Sequence, residues 1–261
     1  MNKNAELFRS RQPEQQGNKI IPFQLRVFIL TIAVGLTAAA MAGCQNRGPG
    51  YAGSGGSGSN TDGDRVSLPG PRTDRTALEE VLFSRRSVRS FQEQSVPLSV
   101  LSDVMWSSIG VGVDGVSGAT RTAPSAGGTN PLVIYLGIRD IEGLEAGVYR
   151  YNVSEHQLIQ KSEDPVVPAL AKAALGQTWI NEAQAVVVIT ADYSRTTRRY
   201  GERGRRYVHF EAGHAAQNIV LTAGNNGLGS TVIGAFHDDE VKKALGGTNL
   251  DPLLIIPLGW K

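Results

Sequence analysis

Arg85-Arg86-Ser87-Val88-Arg89 puts three guanidinium groups and a hydroxyl on one short stretch of chain. Planar, permanently charged donors of this kind suit the oxygens of a phosphate monoester. The same residues also suit a basic turn at a helix C-terminus, where the helix dipole favours cations. Ala123-Pro124-Ser125-Ala126-Gly127-Gly128 is a turn of small residues carrying one hydroxyl. It is either a plain surface loop or a place where backbone amides approach a flat ring. The run Gly227 to Phe236 leaves a long helix through glycines and ends in a second small-residue corner at Gly234-Ala235. Its N–H groups could meet the edge of such a ring, and a helix C-cap followed by a strand explains the glycines equally well.

The most basic segment holds Arg195, Arg198, Arg199, Arg203, Arg205 and Arg206, interleaved with Tyr200 and Tyr207. It reads as a solvated loop or as a seat for an acidic group. Glu211, His214 and Asn218 recur at helical spacing and form either a buried polar network or a base in search of a partner. Metal chemistry has little to build on, because Cys44 is the only cysteine and His209 and His214 are spaced off a common helical face. A formal charge of +2 from 26 basic and 24 acidic residues gives no general case for nucleic acid.

Helices and strands must position these groups. Thr76 and Glu79 have capping-box spacing and open a short helix up to Arg85. Pro97 and the stripe Leu98, Leu101, Met105 and Ile109 predict a second helix, after which Gly110 to Gly128 breaks regular structure. Pro131–Ile138, Val148–Tyr151, Ala185–Ala191 and Leu253–Leu258 read as strands, the third continuous and β-branched and therefore central. Ala169–Leu175 reads as helix, and Val208–Asn226 is the longest helix signal, with Val208, Ala212, Ala216, Ile219 and Ala223 on one face. Strands and helices without strict alternation predict an α+β domain.

Upstream, basic residues precede an uncharged apolar run from Val27 to Gly43, the order of a secretory signal. The tail before Cys44 resembles a bacterial lipobox, with Met41 in the usual leucine position. Residues 1–43 are expected to be a lipoprotein signal peptide, 44–72 a Gly/Ser-rich tether and 73–261 the folded domain. An uncleaved anchor is the alternative; either way the domain is expected tethered outside the cytoplasm, on the cell envelope.

Taken in order, these motifs resemble the nitroreductase family, in particular its SagB-type dehydrogenases. The matching residues are Arg85 to Arg89, Ala123 to Gly127, Gly147-Val148-Tyr149-Arg150-Tyr151 with His156, and Ala174 to Gln177. Tyr200 to Gly204, Glu211 to His214, Gln217-Asn218 and Gly234 to Phe236 complete the set. The resemblance implies a mixed, mainly antiparallel sheet flanked by helices, and FMN held at a homodimer interface. It implies that Arg85, Arg86, Ser87 and Arg89 hold the phosphate and ribityl chain. Pro124, Ser125 and Ala126 would approach the ring from the partner subunit, Asn130 is a further implied cofactor-binding residue, and Gly234 and Ala235 would present amides near flavin N5. Tyr200 is the implied catalytic residue. Where azoline-oxidising members resemble one another in a Lys-Tyr pair, this chain has Arg199-Tyr200, and a guanidinium is a poor base. Where many nitroreductases continue with a further basic residue at the phosphate, this chain stops at Lys261, whose role stays open.

The expected function is two-electron redox catalysis on a small molecule or peptide. A lipid-anchored binding module that keeps the fold without catalysis is the competing reading, and a peptide-modifying subunit is a third. No GxGxxG turn follows a strand, so the electron donor would visit the flavin directly.

Overall fold

The computed structural model describes residues 73–114 and 118–261. The expected signal peptide, Cys44 lipid site and tether lie outside the described residues. Thr76 caps α1 (Ala77–Ser84): its side chain accepts from the Glu79 N–H while Glu79 reaches back to the Thr76 backbone. Pro97 precedes α2 (Leu98–Ile109), which buries Leu101, Val104, Met105 and Ile109.

The glycine-rich stretch that follows is more ordered than its composition predicts. β1 (Val111–Asp114) and β2 (Gly118–Arg121) pair as an antiparallel hairpin, and Ala126–Gly128 forms a 3₁₀ turn. Pairing of Val111 with Arg121 supplies the hydrogen bonds that glycine-rich sequence does not advertise.

The main sheet holds β3 (Leu132–Ile138), β4 (Gly147–Asn152), β5 (Gln157–Ser162), β6 (Ala185–Ala191), β7 (Leu228–Ser230) and β8 (Asp251–Trp260), in the order β5-β4-β3-β6-β8-β7. Every pair of named neighbours is antiparallel. Parallel bridges lay Ser87 alongside Ser230 and Val96 alongside Ile141.

Period-two alternation divides the core. Ile134, Leu136, Val187, Ile189, Ile256 and Leu258 face α2 and the long helix α5 (Arg203–Asn225). Tyr135, Val186, Val188 and Ile255 face α3 (Val167–Ala173) and α6 (Asp238–Ala244). All of β6 is buried, as its unbroken β-branched run requires. The five apolar positions foreseen on α5 are all buried.

Arg195 to Tyr207 is helical rather than a loop. α4 (Tyr193–Tyr200) is capped by Asp192, whose carboxylate accepts from the Ser194 N–H at 3.0 Å, and α5 begins at Arg203, ahead of its apolar stripe. Charged residues dominate because both helices face solvent here; on α4 the period is carried by Arg195, Arg198 and Arg199 on the exposed face, opposite the buried Thr196, and not by an apolar stripe. Among the described residues no helix is long and apolar enough to cross a membrane.

Candidate functional site

The arginine cluster lies just past the C-terminus of α1 and is fastened to β7. Val88 N–H donates to the Ser230 carbonyl at 3.0 Å, and the Thr231 hydroxyl donates to the Val88 carbonyl at 2.6 Å. Gly229 permits this closeness, since a Cβ there would sit 2.6 Å from Val88 Cγ1. Arg85, Arg86, Ser87 and Arg89 are all exposed. Arg85, Arg86 and Lys261 line one hollow of about 210 Å³ with Ser230 and Gly224. Among the described residues none of the three arginines makes an ion pair. Arg86 donates to the carbonyls of Phe83 and Arg85 at 2.9 and 2.8 Å, so it also closes the end of α1.

From Ser230 the chain runs on to the small-residue corner. Ile233 exchanges two backbone hydrogen bonds with Ile255, each 2.9 Å, and Gly234 and Ala235 follow, both exposed. Gly234 opens on a hollow whose wall includes Tyr193, Arg205, His209 and Phe236. The Tyr193 hydroxyl meets His209 Nε2 at 2.5 Å, and Arg205 lies over the Tyr193 ring, 5.1 Å from its centroid. Burial pushes the Tyr193 phenol up, with Asp251 adding and Arg205 opposing. Tyr193 was not foreseen as a site residue: it meets His209 only because α4 and α5 double back, a turn hidden in a stretch without an apolar pattern.

Pro124, Ser125, Ala126 and Asn130 sit elsewhere, against the N-terminal half of α5. Ala126 N–H donates to Glu211 Oε1 at 2.8 Å, and Asn130 N–H donates to the Ser125 hydroxyl at 2.8 Å. Arg195 and Arg199 each donate at 3.0 Å, to the carbonyls of Asn130 and Gly127. Tyr200 belongs to this group: a Cβ on Gly127 would collide with its hydroxyl, and its ring meets Tyr207 edge-on at 5.2 Å. Burial raises the Glu211 carboxyl above its ordinary range, opposed by the Ala126 N–H, Ser125 and His214. Asn218 donates to the carbonyls of Ser107 and Thr122 at 3.0 and 3.2 Å. Glu211 and Asn218 therefore brace the loop and α2, whereas His214 is exposed.

One chain thus brings together Arg85 to Arg89 and the strand leading to Gly234, and keeps the 124–130 loop away from the arginines. The loop joins α5 at Glu211, while Arg85 and Val81 lie by Gly224. At 1.5 Å per residue those two levels are roughly 20 Å apart along the helix.

Residues 82–260 match the model of the Nitroreductase family. A protein of Methanocaldococcus jannaschii named as a nitroreductase is 42% identical over 199 residues, 76% of this chain and 98% of that protein. The trifolitoxin-processing protein TfxB of Rhizobium leguminosarum is 30% identical over 148 residues, 51% of this chain and 36% of TfxB. A crystal structure of a Ralstonia eutropha protein named as a nitroreductase superposes with a TM-score of 0.61 at 27% identity, over 75% of this chain and 88% of that one.

Proposed function

The chain belongs to the nitroreductase family, and from that premise we propose that it is an FMN-dependent oxidoreductase of the SagB type, active as a homodimer. FMN, when bound, supplies two-electron hydride transfer. The donor set fits such a group: Arg85, Arg86 and Arg89 offer guanidinium groups without carboxylate partners among the described residues, beside the Ser87 hydroxyl and Lys261. A phosphate dianion needs that charge.

The observation that carries the reading is the Ser87–Ser230 bridge. It lays the cluster alongside the start of an extended run to Gly234, roughly 13 Å at strand rise. Phosphate donors and exposed backbone amides then share one edge of the molecule. Pro124, Ser125, Ala126 and Asn130, held roughly 20 Å from the Arg85 end of that edge along α5, would complete the site from the partner subunit. Tyr200, edge-on to Tyr207 beside that loop, would hold a proton for the substrate, and Arg199 would anchor the loop through Gly127. Similarity to a trifolitoxin-processing protein supports a peptide or small molecule as substrate. Tethering by lipid at Cys44 on the cell envelope completes the proposal.

The test is a visible spectrum of the purified full chain followed by FMN titration. A yellow protein whose FMN affinity falls about tenfold or more in Arg85→Ala supports the assignment, as expected for a charged hydrogen bond. A colourless protein that takes up no FMN favours the non-catalytic module. Incorporation of labelled fatty acid that disappears in Cys44→Ala tests the tether.

A further inference from the structure

The basic segment from Arg195 to Arg206 is only partly used by the contacts described above. Arg195 is held by Asp192 and the Asn130 carbonyl, Arg199 by the Gly127 carbonyl, and Arg205 by Glu202 at 3.3 Å while it lies over the Tyr193 ring. Arg198, Arg203 and Arg206 are exposed, and among the described residues none of them makes an ion pair, a hydrogen bond or a ring contact.

Helix stability does not account for these charges. Arg203, Arg205 and Arg206 fall in the first turn of α5, where the helix dipole opposes cations, and that turn holds no acidic residue. Arg203 and Arg206 also share one face at the spacing where like charges repel. The acidic neighbours Asp192 and Glu202 are already engaged with Arg195 and Arg205. The segment therefore keeps a positive surplus that no described residue neutralises.

That surplus borders the aromatic pair beside the 124–130 loop. Tyr207 follows Arg203 by one turn of α5 and shares its face, and its ring meets Tyr200 edge-on at 5.2 Å. Arg198 stands on the last turn of α4, just ahead of Tyr200. Guanidinium forks match carboxylates bidentately, and the two rings add apolar contact next to them. We propose that this surface docks an acidic peptide, whose carboxylates meet Arg203 and Arg206 and whose chain then reaches Tyr200. Tyr200 and Tyr207 are half-buried, which suits a bound chain better than a bilayer, since a membrane surface takes up protruding apolar groups. Naming the peptide as substrate rests on the role of Tyr200 given above; the docking itself does not.

The test measures binding by the full chain with no FMN added. A labelled pentapeptide with three glutamates is compared with its glutamine counterpart by fluorescence anisotropy. The acidic peptide should bind saturably and at least about tenfold more tightly than the neutral one, and high salt should erase the margin, because exposed charges are screened. Arg203→Gln combined with Arg206→Gln should weaken the acidic peptide about fivefold to tenfold. Lys172→Gln combined with Lys243→Gln removes the same charge from exposed positions elsewhere and should change nothing. A benzophenone on the peptide should crosslink to the segment holding Tyr200 and Tyr207. Equal affinity for the two peptides, equal loss in the two double variants, or crosslinks confined to other segments overturns the proposal. Binding to anionic phospholipid vesicles that needs Arg203 and Arg206, with no binding of the acidic peptide, also overturns it and assigns the surface to a lipid. A chain that takes up no FMN yet binds the acidic peptide through these arginines sinks the cofactor reading and leaves the docking surface standing.

Discussion

The backbone N–H of Val88 donates to the carbonyl of Ser230 at 3.0 Å, which fastens the segment before α2 to the edge strand that leads to Gly234. Two stretches far apart in sequence thereby share one edge, and the contact depends on Gly229 having no side chain. A methyl group there would lie 2.6 Å from Val88 Cγ1. Gly229→Ala should therefore cost about 1–3 kcal/mol, the range for overpacking, and should weaken FMN binding without touching any proposed ligand group. Urea denaturation and FMN titration measure the two effects. A variant as stable as the parent would show that the strand is not the anchor.

The center of the sheet makes a separate demand. Ile189 is fully buried in β6 between β3 and β8, with its side chain toward α5. Ile189→Ala should cost about 2–5 kcal/mol through lost burial and a residual cavity. The shift in urea midpoint at constant slope is the readout, and a loss well under the lower bound would mean the site collapses freely.

Much of this frame was legible in the sequence. The Thr76–Glu79 box, the Pro97 start, the β-branched run at Ala185 and the face Val208 to Ala223 all formed as their patterns predict. These features are local: caps and apolar periods act within a few turns of chain. The β1–β2 hairpin and α4 were not legible, because one is glycine-rich and the other carries its period in arginines and has no apolar stripe. Nor were the pairings Ser87–Ser230 and Tyr193–His209, which depend on tertiary registration. The arginine motif was visible as chemistry; its second role in closing α1 through Arg86 was visible only as one of two alternatives.

Glu211 predicts a pH dependence of stability. Burial raises its carboxyl above the ordinary value near 4.5, so the folded chain keeps that proton to higher pH than the unfolded chain. Between the two values the folded state binds more protons, and stability falls as pH rises through that interval. Below it the contribution is fully present. Glu211→Gln keeps an acceptor for the Ala126 N–H and removes the titration. Its stability curve should be flatter than the parent's just above the ordinary carboxylate range; parallel curves would assign the dependence to another group.

Tyr200 can be separated from the binding machinery. Tyr200→Phe keeps the edge-on contact with Tyr207 at 5.2 Å and deletes only the hydroxyl. If that hydroxyl moves a proton, reoxidation of the chemically reduced, FMN-loaded chain by a nitroaromatic acceptor should slow about 10²–10⁴-fold. FMN affinity should be unchanged. A parallel loss of affinity would make Tyr200 a structural support of the 124–130 loop instead.

The helix α1 argues for a second copy of the chain. It buries none of its residues, yet Leu78, Leu82 and Phe83 are 60%, 49% and 55% exposed. A solvated helix with this much apolar surface gives up favourable burial unless another surface covers it. Phe210, on the part of α5 that holds the 124–130 loop, is also 54% exposed. Leu82→Asp leaves the monomer core untouched and puts a charge where a partner would sit, so it should dissociate the dimer while Ile189-dependent stability persists. Light scattering after size exclusion gives the mass directly. On the proposed site shared between subunits, FMN affinity should fall together with the dimer. A Leu82→Asp protein that is monomeric and still binds FMN as tightly as the parent would place the whole cofactor site within one chain.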